Sequence, residues 1–174
     1  DDLGPHDQRL LGAAARSRHE VHLLTFFNRA ERLPAWLREA CPHVTVHHRR
    51  FEAYPEVPSA RSSLATALAR RRDAARYLTA FSEALKALKP GLVHAGWLQT
   101  TGYAAALAKA CPIYLMPWGS DVLVWPQRNA RDREKARIAL EAASAVSCDA
   151  ETVRRAILDI APRVLLPIEV FPWG

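Results

Sequence analysis

The sequence predicts an α/β protein with a doubly wound, mostly parallel sheet and helices on both faces. Segments typical of strands and of helices alternate along almost the whole chain, which is the order that right-handed β–α–β connections produce. Some predicted strands, such as residues 113–116, are short continuous apolar runs, and this pattern indicates burial on both faces of a sheet. With 174 residues, the chain is expected to form one domain with a sizeable core.

Apolar spacing, proline and glycine predict the individual elements. Helices carry apolar residues three or four positions apart, strands carry alternating or continuous apolar residues, and Pro90 with Gly91 stops the longest helix. In chain order the elements are helix 5–17, strand 19–27, helix 34–41, strand 43–48, helix 60–89, strand 92–95, helix 100–110, strand 113–116, helix 127–143, strand 145–148, helix 150–160 with Asp149 as its N-cap, and strand 164–170. A hydrophobic strand normally opens such a domain, whereas here a helix follows the acidic start, so a first strand is missing from the predicted sheet.

The stretch 113–121 predicts a strand that runs directly into a turn at the mouth of the sheet. Pro117 ends the strand because it cannot donate to a ladder, and Gly119 allows backbone angles that a side chain would forbid. Ser120 and Asp121 then place a hydroxyl and a carboxylate at the carboxyl end of a strand, where ligands bind in open α/β sheets. With Trp118 beside them, the turn predicts a floor for a polar ligand with an apolar face, such as a sugar. The alternative is a plain capped turn.

The charge balance is basic. A formal net charge of +6 and a pI of about 9.6 favour anionic partners without choosing among them. The densest basic run lies inside the long predicted helix and consists of Arg70, Arg71, Arg72 and Arg76. Such a run is most often a solvated helix face, and the alternative is a patch that contacts an anionic membrane or a phosphorylated acceptor. Nucleic-acid binding is not expected, because no strand interleaves aromatic and basic residues.

The cysteines and histidines predict no metal site. Cys41, Cys111 and Cys148 are odd in number and lack metal-ligand spacing, which predicts free thiols in a reducing, cytoplasmic compartment. His47 and His48 have no further ligands at a suitable distance along the chain. No apolar run reaches the about 20 residues that cross a bilayer, and the acidic first residues are not those of a signal peptide.

Four stretches, in order, resemble the N-terminal half of group 1 (family 4) glycosyltransferases of the GT-B fold. RHEVHLLT at 18–25 is similar to the family's second strand, GHEVHLLT, and KPGLVHAGW at 89–97 is similar to KPDLVHAHW. PWGSD at 117–121 resembles the family's PHGSD or PWGSD turn. VFPWG at 170–174 resembles the VIPNGVD or VIPWGVD segment at the crossover to the second domain. The resemblance covers almost the whole chain.

The resemblance implies that residues 1–174 form a single Rossmann-like, acceptor-side N-terminal domain, one half of a GT-B fold. Residues 170–174 would begin the crossover to a C-terminal donor domain that is absent from this sequence. The whole enzyme would transfer a sugar from a nucleotide-sugar co-substrate to a hydroxyl of a sugar or lipid-linked acceptor, with retention and without a metal or other cofactor. This piece alone is expected to bind but not to catalyse. The function left open beside this one is a self-contained α/β nucleotide- or ligand-binding regulatory module.

The resemblance also implies which residues bind the substrate. They lie after two predicted strands and are His94, Trp97, Gln99 and Thr101 in the first group and Trp118, Gly119, Ser120 and Asp121 in the second. Gly4 is what remains of the family's glycine-rich loop near the donor phosphates. Trp118 stands where the family often has a histidine that contacts the transferred sugar. Because a tryptophan can stack on a sugar but cannot transfer a proton, no catalytic residue is assigned.

The residues taken alone favour plainer interpretations for several of these positions. His94 is then a core histidine with a satisfied ring nitrogen, and Thr100 or Thr101 is a cap of the next helix. Trp125 with Pro126 is a packed loop, and Cys148 is a small buried side chain without a base to activate it.

Overall fold

The computed structural model describes residues 5–25, 35–48, 64–164 and 166–172. Gly4, residues 60–63 of the predicted long helix and the end of the crossover segment lie outside the described residues. The chain divides into two compact units, Asp1–Tyr77 and Leu78–Gly174, with the boundary inside the long helix.

Helices and strands alternate as the sequence predicts. The helices are α1 (Pro5–Ala15), α2 (Ala35–Ala40), α3 (Leu64–Leu88), α4 (Tyr103–Ala108), α5 (Ser120–Leu123), α6 (Trp125–Arg128), α7 (Ala130–Ala142) and α8 (Glu151–Ile160), and a π-helical turn (Leu98–Gly102) precedes α4. The strands are β1 (Val21–Thr25), β2 (Val44–His48), β3 (Val93–Ala95), β4 (Ile113–Leu115), β5 (Ala145–Cys148) and β6 (Ile168–Val170). The predicted fold class is confirmed, because parallel sheets are flanked by helices.

The first unit holds a two-stranded parallel sheet. β1 and β2 pair from Val21 opposite Val44 to Thr25 opposite His48. One apolar cluster forms its core, with the buried residues Leu11, Leu37, Cys41 and Val44 and the half-buried neighbours Ala15, Val21, Leu23, Trp36 and Val46. Alternate positions of β1 and β2 contribute to this cluster, which is the period-two pattern of a strand with one face in a core.

The second unit holds a four-stranded parallel sheet in the order β3-β4-β5-β6. Leu115 and Val146 are neighbours in register and are buried on one face, while Tyr114 and Ser147 lie on the other. Gly102 lets the following helices approach closely, because a Cβ there would lie 3.3 Å from Leu115 Cδ2 and 3.4 Å from Ala139 Cβ. In the described part of the chain, no further strand pairs with β1 or β3.

The segment between β4 and α7 differs from the sequence prediction. Residues 117–126 were expected to form a turn and a loop, but two short helices, α5 and α6, occupy most of this stretch. Short helices escape detection because they are shorter than the window in which apolar spacing becomes visible. The helix predicted from residue 100 begins as the π-helical turn at Leu98, and Ala150 rather than Asp149 occupies the N-cap position of α8.

The long helix α3 carries the basic run of the sequence. Arg71, Arg72 and Arg76 are exposed, and Arg76 lies 3.9 Å from Asp73 through its Nη1 atom. A solvated helix face explains this arrangement, and contact with an anionic membrane stays a prediction. No helix in the described residues is long and apolar enough to span a bilayer.

We expect Gly102→Val to destabilise the second unit by about 1–3 kcal/mol, because the added carbons meet packed neighbours within a helix–sheet contact. Gly91→Val is the matched control, since a Cβ at Gly91 has nothing within 4 Å. Chemical denaturation followed by circular dichroism measures both variants. Equal unfolding midpoints for the two variants would contradict the role of this glycine.

Candidate functional site

The loops after β3 and β4 lie side by side at the carboxyl edge of the four-stranded sheet. The two strands are parallel neighbours, with Val93 opposite Ile113 and Ala95 opposite Leu115. The Met116 amide donates a 3.0 Å hydrogen bond to the Ala95 carbonyl, so the pairing continues just past the strand ends. The structure therefore brings together the two groups of residues that the sequence singled out, at the edge where open α/β sheets bind ligands.

A buried carboxyl group ties the two loops together. The Leu98 amide donates a hydrogen bond of 3.1 Å to Asp121 Oδ2, and Gln99 Nε2 donates one of 2.6 Å to the Asp121 carbonyl oxygen. We call these two bonds the Asp121–Gln99 clasp. The exposed fractions are 0% for Asp121 and 6% for Gln99, so the partners of both side chains are inside the protein. Direct contact of Asp121 or Gln99 with a ligand stays a prediction.

Burial determines the charge state of Asp121. Loss of solvent raises the pKa of this carboxyl to about 6, while hydrogen bonds from backbone amides, that of Leu98 foremost, oppose the rise. No cation contributes to this shift. Asp121 Oδ1 and Gln99 Oε1 are both buried acceptors without a hydrogen-bond partner among the described residues. A protonated carboxyl group is therefore favoured over a carboxylate at mildly acidic pH, since an unpaired buried charge is costly.

Gly119 shapes the turn between β4 and α5. Its φ of +83° lies in the region that favours glycine, as the sequence predicts for this turn. Its carbonyl oxygen accepts hydrogen bonds from the amides of Val122 at 3.1 Å and Leu123 at 2.7 Å and so begins α5. Ser120 is the first residue of α5 and is half-buried, and its hydroxyl has no hydrogen bond within the described residues. This hydroxyl is the free polar group of the turn.

The indole of Trp118 lies directly against Gly96. A Cβ placed on Gly96 would lie 2.1 Å from Trp118 Nε1, so the tryptophan occupies the space where a side chain at position 96 would stand. Gly96 is not among the site residues predicted from the sequence. The signal was present in the HAGW sequence of this chain, where the family motif has a histidine in place of the glycine.

His94 points to a face of the sheet and not to the strand end. It is the middle residue of β3, its side chain is exposed, and its ring centroid lies 4.8 Å from that of Tyr114. The surrounding protein lowers the pKa of His94 through partial desolvation, which favours the neutral ring. On the same face of the sheet, the Tyr114 hydroxyl forms a 2.5 Å hydrogen bond with Ser147 Oγ. The core-histidine interpretation is wrong, because the side chain is exposed.

The threonines of the first loop do not cap α4 with their side chains. Thr101 Oγ1 donates a 3.0 Å hydrogen bond back to the Trp97 carbonyl oxygen, which the Gly102 amide also contacts at 2.9 Å. The buried Thr100 hydroxyl has no partner among the described residues. Trp97 occupies the N-cap position of the π-helical turn, so the loop is held by its own backbone and by the clasp.

An aromatic surface extends the site beyond the predicted residues. Trp97 is 38% exposed, and its ring centroid lies 6.3 Å from that of Trp125 at an interplanar angle of 57°. The guanidinium carbon of Arg128 lies 4.6 Å from the Trp125 ring centroid. Trp118 packs on Gly96, the residue before Trp97. We call Trp97 and Trp125 the tryptophan surface. The prediction that Trp125 and Pro126 form a loop is wrong, since they begin α6.

The described residues hold no group of three or more His, Cys, Asp or Glu side chains arranged to bind a metal ion. His22 Nδ1 and His47 Nε2 are 2.8 Å apart, which is a hydrogen bond between the rings. Cys41, Cys111 and Cys148 are free thiols. Burial raises the pKa of Cys111 and Cys148, which keeps both in the thiol form at neutral pH and makes them poor nucleophiles.

Comparison with known proteins supports the fold. No protein-family model matches the chain, and no curated protein sequence matches it. The crystal structure of Glycyrrhiza uralensis UGT73P12 complexed with glycyrrhetinic acid 3-O-monoglucuronide is similar, with a TM-score of 0.55 and 10% sequence identity over 96% of this chain. At this identity the similarity shows the fold, which is that of a GT-B glycosyltransferase domain. The match covers 46% of the UGT73P12 chain, so the present chain spans about half the length of that structure.

We expect the buried Asp121 to make the protein more stable as the pH falls from about 6 to about 4. Its folded pKa of about 6 lies above the ordinary value of 3.8, so in this range the folded state binds the extra proton. The slope from this one group approaches about −1.4 kcal/mol per pH unit in the free energy of unfolding.

Denaturation of the wild-type chain and Asp121→Asn at several pH values measures this slope. The difference between the two curves is the relevant quantity, because the lowered pKa of His94 contributes with the opposite sign nearby. Asp149→Asn, which removes an exposed carboxylate, is the control. Parallel curves for the wild type and Asp121→Asn would show that Asp121 does not titrate in this range.

We expect Gly96→Ala to displace the Trp118 indole, since a methyl group cannot occupy a position 2.1 Å from Nε1. Fluorine NMR on protein labelled with 5-fluorotryptophan observes all five tryptophans, and Trp118→Phe assigns the signal of interest. The Trp118 resonance is expected to shift more than that of Trp36, which lies in the first unit. An unchanged Trp118 resonance would disprove the contact. Gly91→Ala serves as the control with an open environment.

Proposed function

We propose that this chain is the N-terminal, acceptor-side domain of a retaining glycosyltransferase of group 1 (family 4). The whole enzyme moves a sugar from a nucleotide-sugar to a hydroxyl of a sugar or lipid-linked acceptor and uses no metal. Its donor domain follows the segment around Val170, where the chain resembles the family's crossover sequence. Residues 1–174 bind the acceptor and do not catalyse transfer alone.

The observation that carries this proposal is the position of the PWGSD turn. This turn follows β4 at the carboxyl edge of a parallel sheet, beside the loop that contains the HAGW sequence. The GT-B fold, which the similarity to the UGT73P12 structure shows, together with these two motifs at neighbouring strand ends, supports an acceptor site at this edge. The fold alone would not support it, because a fold hosts many functions and the argument for function rests on the site.

Each residue of the edge has a proposed role. Trp97 and Trp118 stack on apolar faces of the acceptor, and the free Ser120 hydroxyl hydrogen-bonds one of its hydroxyl groups. Gly119 gives the turn the backbone conformation that presents Ser120. The Asp121–Gln99 clasp positions both loops.

The remaining residues have proposed roles outside this contact surface. Thr101 and His94 border the site from the first loop and from the sheet face. Gly4 is proposed to approach the donor phosphates, as the resemblance implies, and no residue of this chain is assigned as catalytic.

The proposal places the protein in the cytoplasm, where nucleotide-sugars and free thiols occur together. The three cysteines are free, in agreement with a reducing compartment. A lipid-linked acceptor would bring the enzyme to a membrane surface, and the exposed arginines Arg71, Arg72 and Arg76 of α3, with Arg70 beside them in sequence, would meet its anionic lipids.

A calorimetric and NMR titration tests the proposal. UDP-glucose and GDP-mannose are compared with free monosaccharides and sugar phosphates on the same protein. We expect weak, millimolar binding of sugars or sugar phosphates and no tight nucleotide binding, since residues 1–174 form only the proposed acceptor-side domain. Ser120→Ala and Trp118→Ala are expected to weaken sugar binding several-fold, since each removes one contact worth about 1 kcal/mol.

The control is Trp36→Phe, which changes a half-buried tryptophan in the core of the first unit. It is expected to leave sugar binding unchanged. Tight nucleotide-sugar binding by this chain alone would overturn the proposal in favour of a self-contained nucleotide-binding regulatory module. The absence of any sugar binding would also overturn it.

A further inference from the structure

We propose that Arg128 and the tryptophan surface bind a pyranose that carries a negative charge, as a uronate or as a sugar phosphate. The inference deepens the proposed function and rests on it, because it names the chemistry of the acceptor at the same edge of the sheet. Neither Arg128 nor Trp125 belongs to the motifs that pointed to a glycosyltransferase.

The geometry of the tryptophan pair leaves indole surface available for a ligand. The rings of Trp97 and Trp125 meet at 57° with centroids 6.3 Å apart, so they do not close into a face-to-face stack. Trp97 is 38% exposed although large aromatic side chains are normally well buried. The apolar C–H face of a pyranose fits such a surface, since an indole provides a large, flat and rigid contact area.

Arg128 differs from the well-paired arginines of this unit. Arg133 contacts Asp159 at 2.9 Å, Arg137 contacts Glu141 at 2.5 Å, and Arg154 contacts Glu151 at 2.8 Å. Arg128 is exposed and makes no ion pair with the described part of the chain, but its guanidinium is held 4.6 Å from the Trp125 ring centroid. The cation–π contact therefore orients a positive charge that has no carboxylate partner.

The surroundings of Arg128 leave that charge free for a ligand. Along the chain, the carboxylate closest to Arg128 is that of Asp132. Asp132 Oδ2 accepts a 2.7 Å hydrogen bond from Asn129 Nδ2, and the Asp132 amide donates a 2.8 Å hydrogen bond to Asn129 Oδ1. Arg131, in the first turn of α7, is also exposed, but no aromatic ring among the described residues orients its guanidinium. A guanidinium offers paired N–H donors that match a carboxylate or phosphate group, and an orientation fixed in advance lowers the entropic cost of binding.

The same edge supplies the remaining needs of a charged sugar. The unpaired Ser120 hydroxyl lies in the turn that also carries Trp118, and it offers a hydrogen bond to a ring hydroxyl. Leu123 and Val124, 44% and 40% exposed, border Trp125 in sequence and add apolar surface. Apolar faces, a hydroxyl and an oriented cation together match a sugar ring with one anionic substituent.

The test uses pairs of ligands that differ by one anionic group. Methyl β-glucoside is compared with methyl β-glucuronide, and glucose with glucose 6-phosphate, by saturation-transfer NMR and tryptophan fluorescence. We expect the anionic member to bind roughly 10-fold more tightly or better in the wild-type protein, the size of one well-oriented charged hydrogen bond. The stronger of the two anionic ligands identifies the group as a uronate or a phosphate.

Substitutions assign the effect to individual residues. Arg128→Gln is expected to abolish the preference for the anionic ligand while binding of the neutral ligand remains, and Arg131→Gln is the matched control that keeps the preference. Trp97→Ala and Trp125→Phe are expected to weaken both members of each pair. Circular dichroism confirms that each variant is folded before its affinity is compared.

The outcomes separate this inference from the proposed function. Sugar binding without a preference for charge, or an equal effect of Arg128→Gln and Arg131→Gln, overturns the inference and leaves the proposed function standing. No binding of any sugar overturns both. Co-sedimentation with vesicles of phosphatidylcholine and phosphatidylglycerol that requires Trp125 and Arg128, without charge-dependent sugar binding, also overturns it and identifies the surface as a membrane contact.

Discussion

The two loops of the candidate site depend on one buried carboxyl group. The Asp121 side chain accepts a hydrogen bond from the Leu98 amide, and the Asp121 carbonyl oxygen accepts one from Gln99 Nε2. One residue of the second loop therefore holds the start of the π-helical turn in the first loop. Because the side chain is fully buried without a cation beside it, the bonds must offset a large desolvation cost. These hydrogen bonds fix the positions of the two loops relative to each other. Trp97, Trp118 and Ser120 are placed by backbone that the clasp fixes.

Within one short motif, some residues fix the positions of the two loops and others are available for contact with a ligand. Asp121 and Gln99 are turned inward, whereas Ser120, one residue earlier, keeps a free hydroxyl, and Trp97 remains partly exposed. A ligand at this edge would therefore meet aromatic faces, a hydroxyl and the guanidinium of Arg128. Recognition by such a surface uses apolar stacking with few hydrogen bonds, which suits weak and reversible ligand binding.

The sequence was sufficient for the fold because its strands and most of its helices carry strong periodic or continuous apolar patterns. Val153, Ile157 and Ile160 of α8 are a clear case, and they are all buried. The position of the candidate site could be predicted, since the carboxyl ends of parallel strands lie at the same edge of the sheet. Individual side-chain directions were not predictable. The Asp121 side chain turns inward and accepts a hydrogen bond from the Leu98 amide, which lies 23 positions earlier in the sequence, and no local pattern shows that contact. Likewise, α5 and α6 are too short for periodicity, so the contact of Trp125 with Trp97 was hidden.

The contact between Trp118 and Gly96 makes these two positions one unit of sequence variation. An indole nitrogen occupies the place of a Cβ at position 96, so a larger residue there is compatible only with a smaller or displaced residue at 118. The order of substitution then matters in evolution and in directed libraries. A smaller residue must replace Trp118 before a larger residue can replace Gly96. A histidine introduced at position 96 alone would be harmful, although the same histidine together with a smaller residue at position 118 is accommodated.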